Sequence, residues 1–232
     1  QLRVMKRRLV DAAAPPLDAV VTEPASTSTM GLVLRELEGK TGLVILSAWG
    51  PSIEQSAASW GAGLPLGTVS TDHTRVGEIQ GRQVGALLPG EGRLLCVAGP
   101  ARASAAQQRL EGLKSRLHGR IEPQATSSGA GTESDGIVAY NDWDRVAKAR
   151  DPIVQVVAGG TDELALGARR ACEALGDAAH RDALLEAKFL GVDGCPTFGQ
   201  KLVDDGTLTA SVVTPANTGL ALDHLSRFWK QG

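Results

Sequence analysis

The chain is poor in the features that mark redox, nucleic-acid, membrane and common catalytic proteins. It has three cysteines in 232 residues, Cys96, Cys172 and Cys195, and they form no CxxC pair and no metal-ligand spacing. Two of them could pair in the fold, with three buried thiols as the leading expectation. No long basic run exists: 24 Lys and Arg stand against 26 Asp and Glu, for a net charge of −2. That balance argues against a nucleic-acid surface, which needs a visible excess of positive charge. No apolar stretch approaches the length of a membrane span. The opening "LRVMKRRLV" is basic but lacks the apolar core of a secretory signal. The sequence has no GxSxG elbow, no GxxxxGK[ST] loop and no HExxH. "GGTDELALG" places glycines before a helix without making the GxGxxG fingerprint. His73, His118, His180 and His224 are scattered, and none has a metal-ligand partner at helical spacing. They read as surface or loop residues. Acidic side chains are present, but no spacing selects a glycosidase pair. The expectation is a protein that is not an enzyme and needs neither cofactor nor metal.

What is present is a rhythm. Short aliphatic runs end in Pro, Gly, Asp or Ser, and alanine-rich amphipathic stretches follow them. Strands are expected at 17–24, 41–50, 68–72, 92–100, 153–160, 188–194 and 208–213. Helices are expected at 28–39, 76–88, 104–117, 162–175 and 218–231. Continuous apolar strands alternating with helices indicate parallel sheets covered on both faces, an α/β fold. "PQATSSGAGTESDG" (123–136) is rich in Ser and Gly and reads as a loop.

Polar residues gather where these strands end. Glu23, Trp49, Thr71, Asp72, Thr161 and Asp193 all stand at or just beyond a predicted carboxyl end, the place where open parallel sheets meet their ligands. Each also has a purely structural reading. Asp193 in "GVDGCP" suits a turn. Asp72 and Thr161 suit helix N-caps, with Asp162 and Glu163 favourable near the positive end of the helix dipole. Trp143 suits a core, and an arginine on a helix, such as Arg109, is commonly solvated.

Five stretches in order resemble a known family. They are "DAVVTEP", "STDHTRVGEIQGRQVGALL", "VAGPARASAAQQRLEGL", "GGTDELALGARRA" and "GVDGCPTFGQKLVDDGTLTASVVTPANTGLAL". Together they are similar to type I periplasmic binding proteins, the ribose-binding-protein-like branch that supplies ABC importers. The last stretch is the most specific. The resemblance implies two lobes, each a parallel sheet with helices on both faces, and a ligand in the cleft between them. Lobe one would be residues 1–98 with 214–232, and lobe two 99–213. It implies a small sugar-like ligand held by Glu23, Trp49, Thr71, Asp72, Arg109, Trp143, Thr161 and Asp193. Within that set, Asp193 would accept from hydroxyls, Arg109 would donate with its planar fork, and Trp143 would cover an apolar sugar face. The implied partners are the membrane subunits of an ABC transporter, with no nucleic acid and a monomeric state, in the periplasm or outside the cell. The alternative within the same fold is a ligand-sensing module of a transcriptional repressor or of a membrane receptor or kinase.

The sequence departs from the family pattern in three places. A strand, a helix and a second strand that family members carry before the region of residue 1 have no counterpart here. The stretch between Trp143 and Pro152 is short. Thr161 stands where the family commonly has Asn, which changes the hydrogen-bond donors. The expectation is a first lobe whose sheet needs further polypeptide to be complete.

Overall fold

The computed structural model describes residues 17–22, 30–37, 39–46, 66–101, 103–127, 129–147 and 153–231. The chain divides into two compact units, residues 1–71 with 215–232 and residues 72–214.

The larger unit is built on five parallel strands: β4 (Glu91–Ala98), β5 (Arg120–Ser127), β6 (Val156–Gly159), β7 (Lys188–Asp193) and β8 (Ala210–Val213). Their spatial order is β5-β4-β6-β7-β8. Residues 94–97 of β4, "LLCV", are buried without a break, because both faces of a doubly covered sheet are dry. Alternate side chains go to opposite faces. Leu95 and Val97 join Val157 and Phe189 on one face, under α4 (Glu133–Ala147), α5 (Asp162–Glu173) and α6 (Ala178–Leu185). Leu94 and Cys96 join Val156, Ala158 and Leu190 on the other, under α2 (His73–Leu87) and α3 (Ser104–Lys114). Burying one such Leu, Val or Phe side chain contributes about 1.5–3 kcal/mol. Helix α7 (Gly199–Asp204) links β7 to β8.

The helices on each face sit in backbone contact. A Cβ at Gly77 of α2 would run into the carbonyl of Arg109 on α3, and one at Gly112 would run into that of Thr74. On the other face, Gly136 of α4 meets Leu164 of α5 in the same way, and Gly167 meets Glu133. Glycine is required at these crossings because any side chain would push the helices apart.

The smaller unit holds a parallel sheet of order β1-β2-β3, from β1 (Leu17–Thr22), β2 (Thr41–Leu46) and β3 (Leu66–Thr68). Helix α1 (Met30–Leu37) connects β1 to β2. Helix α8 (Asn217–Gln231) buries Ala221 and Leu225 against Ala19, Val21 and Val69.

Two expectations are corrected. The boundary between units falls at 71/72 rather than 98/99. Helix α2 belongs with α3, to which its glycines bind it, and β4 is hydrogen-bonded between β5 and β6. The second crossing, at 214/215, lies within one residue of the expected place. The stretch 123–136 is not one loop. It contains the end of β5 and the start of α4. Pro123 pairs with Leu94 on an edge strand, where its missing N–H faces away from the ladder. The turn before α4 is held by Asp135, whose Oδ2 accepts from the backbone of Ala130, Gly131 and Thr132 at 2.9, 3.1 and 3.0 Å.

Candidate functional site

The strand order places a crevice. From β4 the chain runs through α3 to β5 on one side, then crosses to β6 on the other side of β4. Where connections part in this way, the carboxyl ends of the two strands are left open to a ligand. Gly99 follows β4 and Gly160 follows β6, so neither of these two residues puts a side chain into the opening. Gln80 of α2, 3% exposed, braces the rim, with Nε2 donating to the carbonyl of Gly159 at 2.9 Å.

Arg109 reaches this point from α3. Its Nη1 donates to the carbonyl of Gly160 at 2.5 Å, and its Nε donates to Nδ1 of His73 at 3.2 Å. Its Nη2 stands 3.5 Å from Oδ1 of Asp193, at the end of β7. That last distance is an ion pair and exceeds the range of a good hydrogen bond. The Nη2 donors and the carboxylate acceptors therefore remain available to a third molecule. The Asp193 side chain is 42% exposed and that of Arg109 15%.

Burial lowers the pKa of Arg109, while Asp193 and then Asp162 oppose the shift. Arginine is nevertheless a permanent cation in proteins. Burial raises the pKa of Asp193, against the pull of Arg109. His73 is pushed down to about 4 by burial and by the Arg109 charge, with Asp72 opposing. Its ring is neutral at physiological pH, and the bond from Arg109 fixes the lone pair on Nδ1. The site thus sets a fixed donor fork beside a fixed acceptor. This is the arrangement that can hold a hydroxyl from both sides, or two neighbouring hydroxyls.

Asp193 is held in an uncommon backbone shape, with φ at 101°, the one non-glycine residue at positive φ among the described residues. Gly194 follows at 57°. Next comes Cys195, which is exposed, with Sγ 3.3 Å from Oγ1 of Thr197. Hydrogen bonding to Thr197 lowers the pKa of that thiol. Cys96 and Cys172 are buried, and desolvation pushes both up to about 12. The expectation of three buried thiols therefore holds for two of them.

The other expected site residues fall in different places. Thr161 caps α5: its hydroxyl accepts from the Leu164 N–H at 3.1 Å and donates to the Gly131 carbonyl at 3.2 Å, so its one proton is already used. Asp72 is an exposed N-cap of α2, accepting from the Arg75 N–H at 2.8 Å. The Thr71 hydroxyl lies 3.3 Å from Oδ1 of Asn217. Glu23 and Trp49 lie outside the described residues.

Trp143 is corrected outright. It is 8% exposed, packed with Tyr140 at a ring-centroid distance of 5.2 Å, and its Nε1 donates to Gln124 at 2.6 Å. Helix α4 starts beside the carboxyl ends of the strands and runs back along the sheet. Ten residues into it, Trp143 has travelled about 15 Å away from the rim.

Two of the four histidines depart from the surface reading, while His118 and His224 are exposed as expected. His73 is half-buried on Arg109, and His180 bonds Asp144 through Nε2 at 2.8 Å. His73 is the member of this candidate rim that sequence reasoning missed. Its one local signal was its place directly after a capping Asp, at the first residue of a helix.

Comparison with known proteins gives a consistent set. A family model described as "Periplasmic binding protein domain" matches residues 10–218. The ribose import binding protein RbsB of Escherichia coli (strain K12) is 32% identical over 145 residues, covering 62% of this chain and 45% of that protein. The chain thus spans under half the length of this curated relative. A solved ABC transporter periplasmic solute binding protein from Actinobacillus succinogenes 130z, with bound D-allose, matches at a TM-score of 0.75 and 19% identity, over 100% of this chain and 77% of that one. The fructose binding periplasmic domain of a hybrid two component system matches at a TM-score of 0.69 and 19% identity, over 97% and 79%. At these identities the solved structures speak for the fold.

Proposed function

The chain belongs to the periplasmic binding protein domain family, and on that premise we propose that it binds a small polyhydroxylated solute, a sugar or polyol, and delivers it to an ABC importer. The observation that carries this reading is the Arg109–Asp193 pair, 3.5 Å apart at the carboxyl-end rim of the larger unit. A fixed cation and a fixed anion side by side suit a neutral ligand rich in hydroxyls, because each hydroxyl both donates and accepts. A ligand carrying a single net charge would be attracted by one member and repelled by the other. Binding without chemical change fits a family of binding proteins. The reading places the protein in the periplasm or outside the cell, as a monomer, with transporter membrane subunits as its macromolecular partner and no nucleic acid.

The test is a thermal-shift screen followed by calorimetric titration with D-ribose, D-allose and D-fructose. A ligand that binds only the folded form raises the melting temperature. The expected result is saturable binding of at least one sugar, lost in Asp193→Ala. No shift with any sugar or polyol, together with a clear shift on a charged amino acid, defeats the reading.

The same chemistry serves a second reading, a ligand-sensing module of a membrane receptor or kinase. The match to the periplasmic domain of a hybrid two component system supports it. The two readings differ in partner and not in pocket. Co-purification with transporter subunits or with a sensor kinase, each in the sugar-loaded state, separates them.

A further inference from the structure

Asp162 is 2% exposed, among the most deeply buried charged side chains of the described residues. It opens α5, and helix polarity favours an anion there. Its neighbours, however, are not confined to that helix. Oδ2 accepts from the Gly194 N–H at 2.8 Å, and Oδ1 accepts from the Ser211 hydroxyl of β8 at 2.6 Å. Two glycines clear the space it fills. A Cβ at Gly191 would collide with its Oδ1, and one at Gly199 with its Oδ2. The carboxylate is thus a plug between the end of β7, the start of α7 and the edge strand β8.

The peptide it grips is the one that leaves Asp193. Non-glycine residues at positive φ persist only where the surroundings over-determine them. Here the restraints are two. The Asp193 carbonyl accepts from the Thr214 N–H at 3.1 Å, and the next N–H is bound by Asp162. Releasing the second restraint frees Asp193 to relax out of the left-handed region, and its carboxylate then leaves the Arg109 fork.

We infer that Asp162 is the positioning residue of the site: by anchoring the Gly194 N–H and the Ser211 hydroxyl, it holds Asp193 in the strained backbone that sets its carboxylate against Arg109. The inference rests on the sugar-binding reading only for its consequence in affinity. The positional claim is readable without ligand.

The experiment uses the 232-residue chain in four forms: parent, Asp162→Asn, Ser211→Ala and Ser211→Thr. Two measurements need no ligand, namely amide hydrogen exchange at Gly194 and the NMR titration of the Asp193 carboxyl. A third is calorimetric titration with D-ribose, D-allose and D-fructose. In Asp162→Asn, Gly194 exchange is expected to rise at least tenfold and the Asp193 carboxyl to fall back to an ordinary aspartate value. Sugar affinity is expected to drop about tenfold. Ser211→Ala keeps the Asp162 charge and so isolates geometry from electrostatics. It is expected to move all three measurements the same way by a smaller factor, and Ser211→Thr, which keeps the hydroxyl, is expected to restore them. Unchanged Gly194 exchange and an unchanged Asp193 titration in Ser211→Ala and Asp162→Asn overturn the inference. Should Asp162→Asn fail to fold, the Ser211 pair decides it alone. Should no sugar bind the parent, the binding reading falls while the two ligand-free measurements still judge Asp162.

Discussion

Arg109 donates its Nε–H to Nδ1 of His73 across 36 positions of sequence, at 3.2 Å. A protonated imidazole has no lone pair to accept that bond, and it repels the guanidinium. The pair is therefore intact only while His73 is neutral. Its value near 4, against an ordinary 6.5, means that unfolding takes up a proton between those pH values. The stability tied to His73 is whole above pH 6.5 and is lost as the pH falls toward about 4. His73→Asn offers an acceptor that does not titrate. The gap in melting temperature between parent and variant is expected to be widest at pH 7 and to narrow steadily down to pH 4.5. A gap that stays constant over that range contradicts the assignment.

Arg109→Ala and Asp193→Ala should each weaken sugar binding about tenfold or more, because each leaves a ligand hydroxyl without its partner, at a cost on the order of 1–3 kcal/mol. The double variant should lose less than the sum, since the two groups act on the same hydroxyls. Calorimetry on the three variants, with circular dichroism as folding control, measures both effects. Strict additivity would mean that the two side chains read different parts of the ligand.

Trp143→Ala should behave in the opposite way. The ring fills the core between α4 and the sheet, so its removal should destabilise the fold by about 3–5 kcal/mol. Trp143→Phe keeps most of the volume and loses the bond to Gln124. Its expected cost is about 1 kcal/mol, with sugar affinity unchanged. Urea unfolding gives the first number and calorimetry the second. A Trp143→Phe chain that folds normally but no longer binds would return Trp143 to the site.

Gly77→Ala tests the contact that delivers Arg109. Its new methyl meets the Arg109 carbonyl, so α2 and α3 must separate. A cost of about 1–3 kcal/mol is expected from such overpacking, and affinity should fall with it. Gly85 lies on the same helix with nothing within 4 Å of its Cβ position. Gly85→Ala should leave affinity alone and raise stability slightly. Equal effects at the two positions would show that helix spacing does not govern the site.

The parallel α/β architecture was legible because β4, β6 and β7 are buried on both faces and so read as unbroken apolar runs. Strand β5 hid for the converse reason. It is an edge, mostly exposed, and carries Pro123, so neither hydrophobicity nor propensity marked it. Asp193 was legible from its place at a strand end and Arg109 from a resemblance. His73 was not, since the residue that gives it meaning lies on another helix. Trp143 misled because residue type says nothing of direction: the helix that bears it runs away from the rim. The unit boundary was misplaced because the glycines that fix α2 to α3 look like ordinary helix-breaking residues until their partner backbone is known.

The three thiols have a practical consequence. Two are sealed in the core and raised to about 12, while Cys195 is exposed, eased toward its thiolate, and two positions from Asp193. Reaction with an alkylating dye follows thiolate character and access. The unmodified sequence therefore carries its own address for one fluorophore, placed two residues from the carboxylate of the proposed sugar site. A maleimide-linked, polarity-sensitive dye should couple with a stoichiometry of one. Its emission would then report occupancy directly, making the wild-type chain a ready optical sensor.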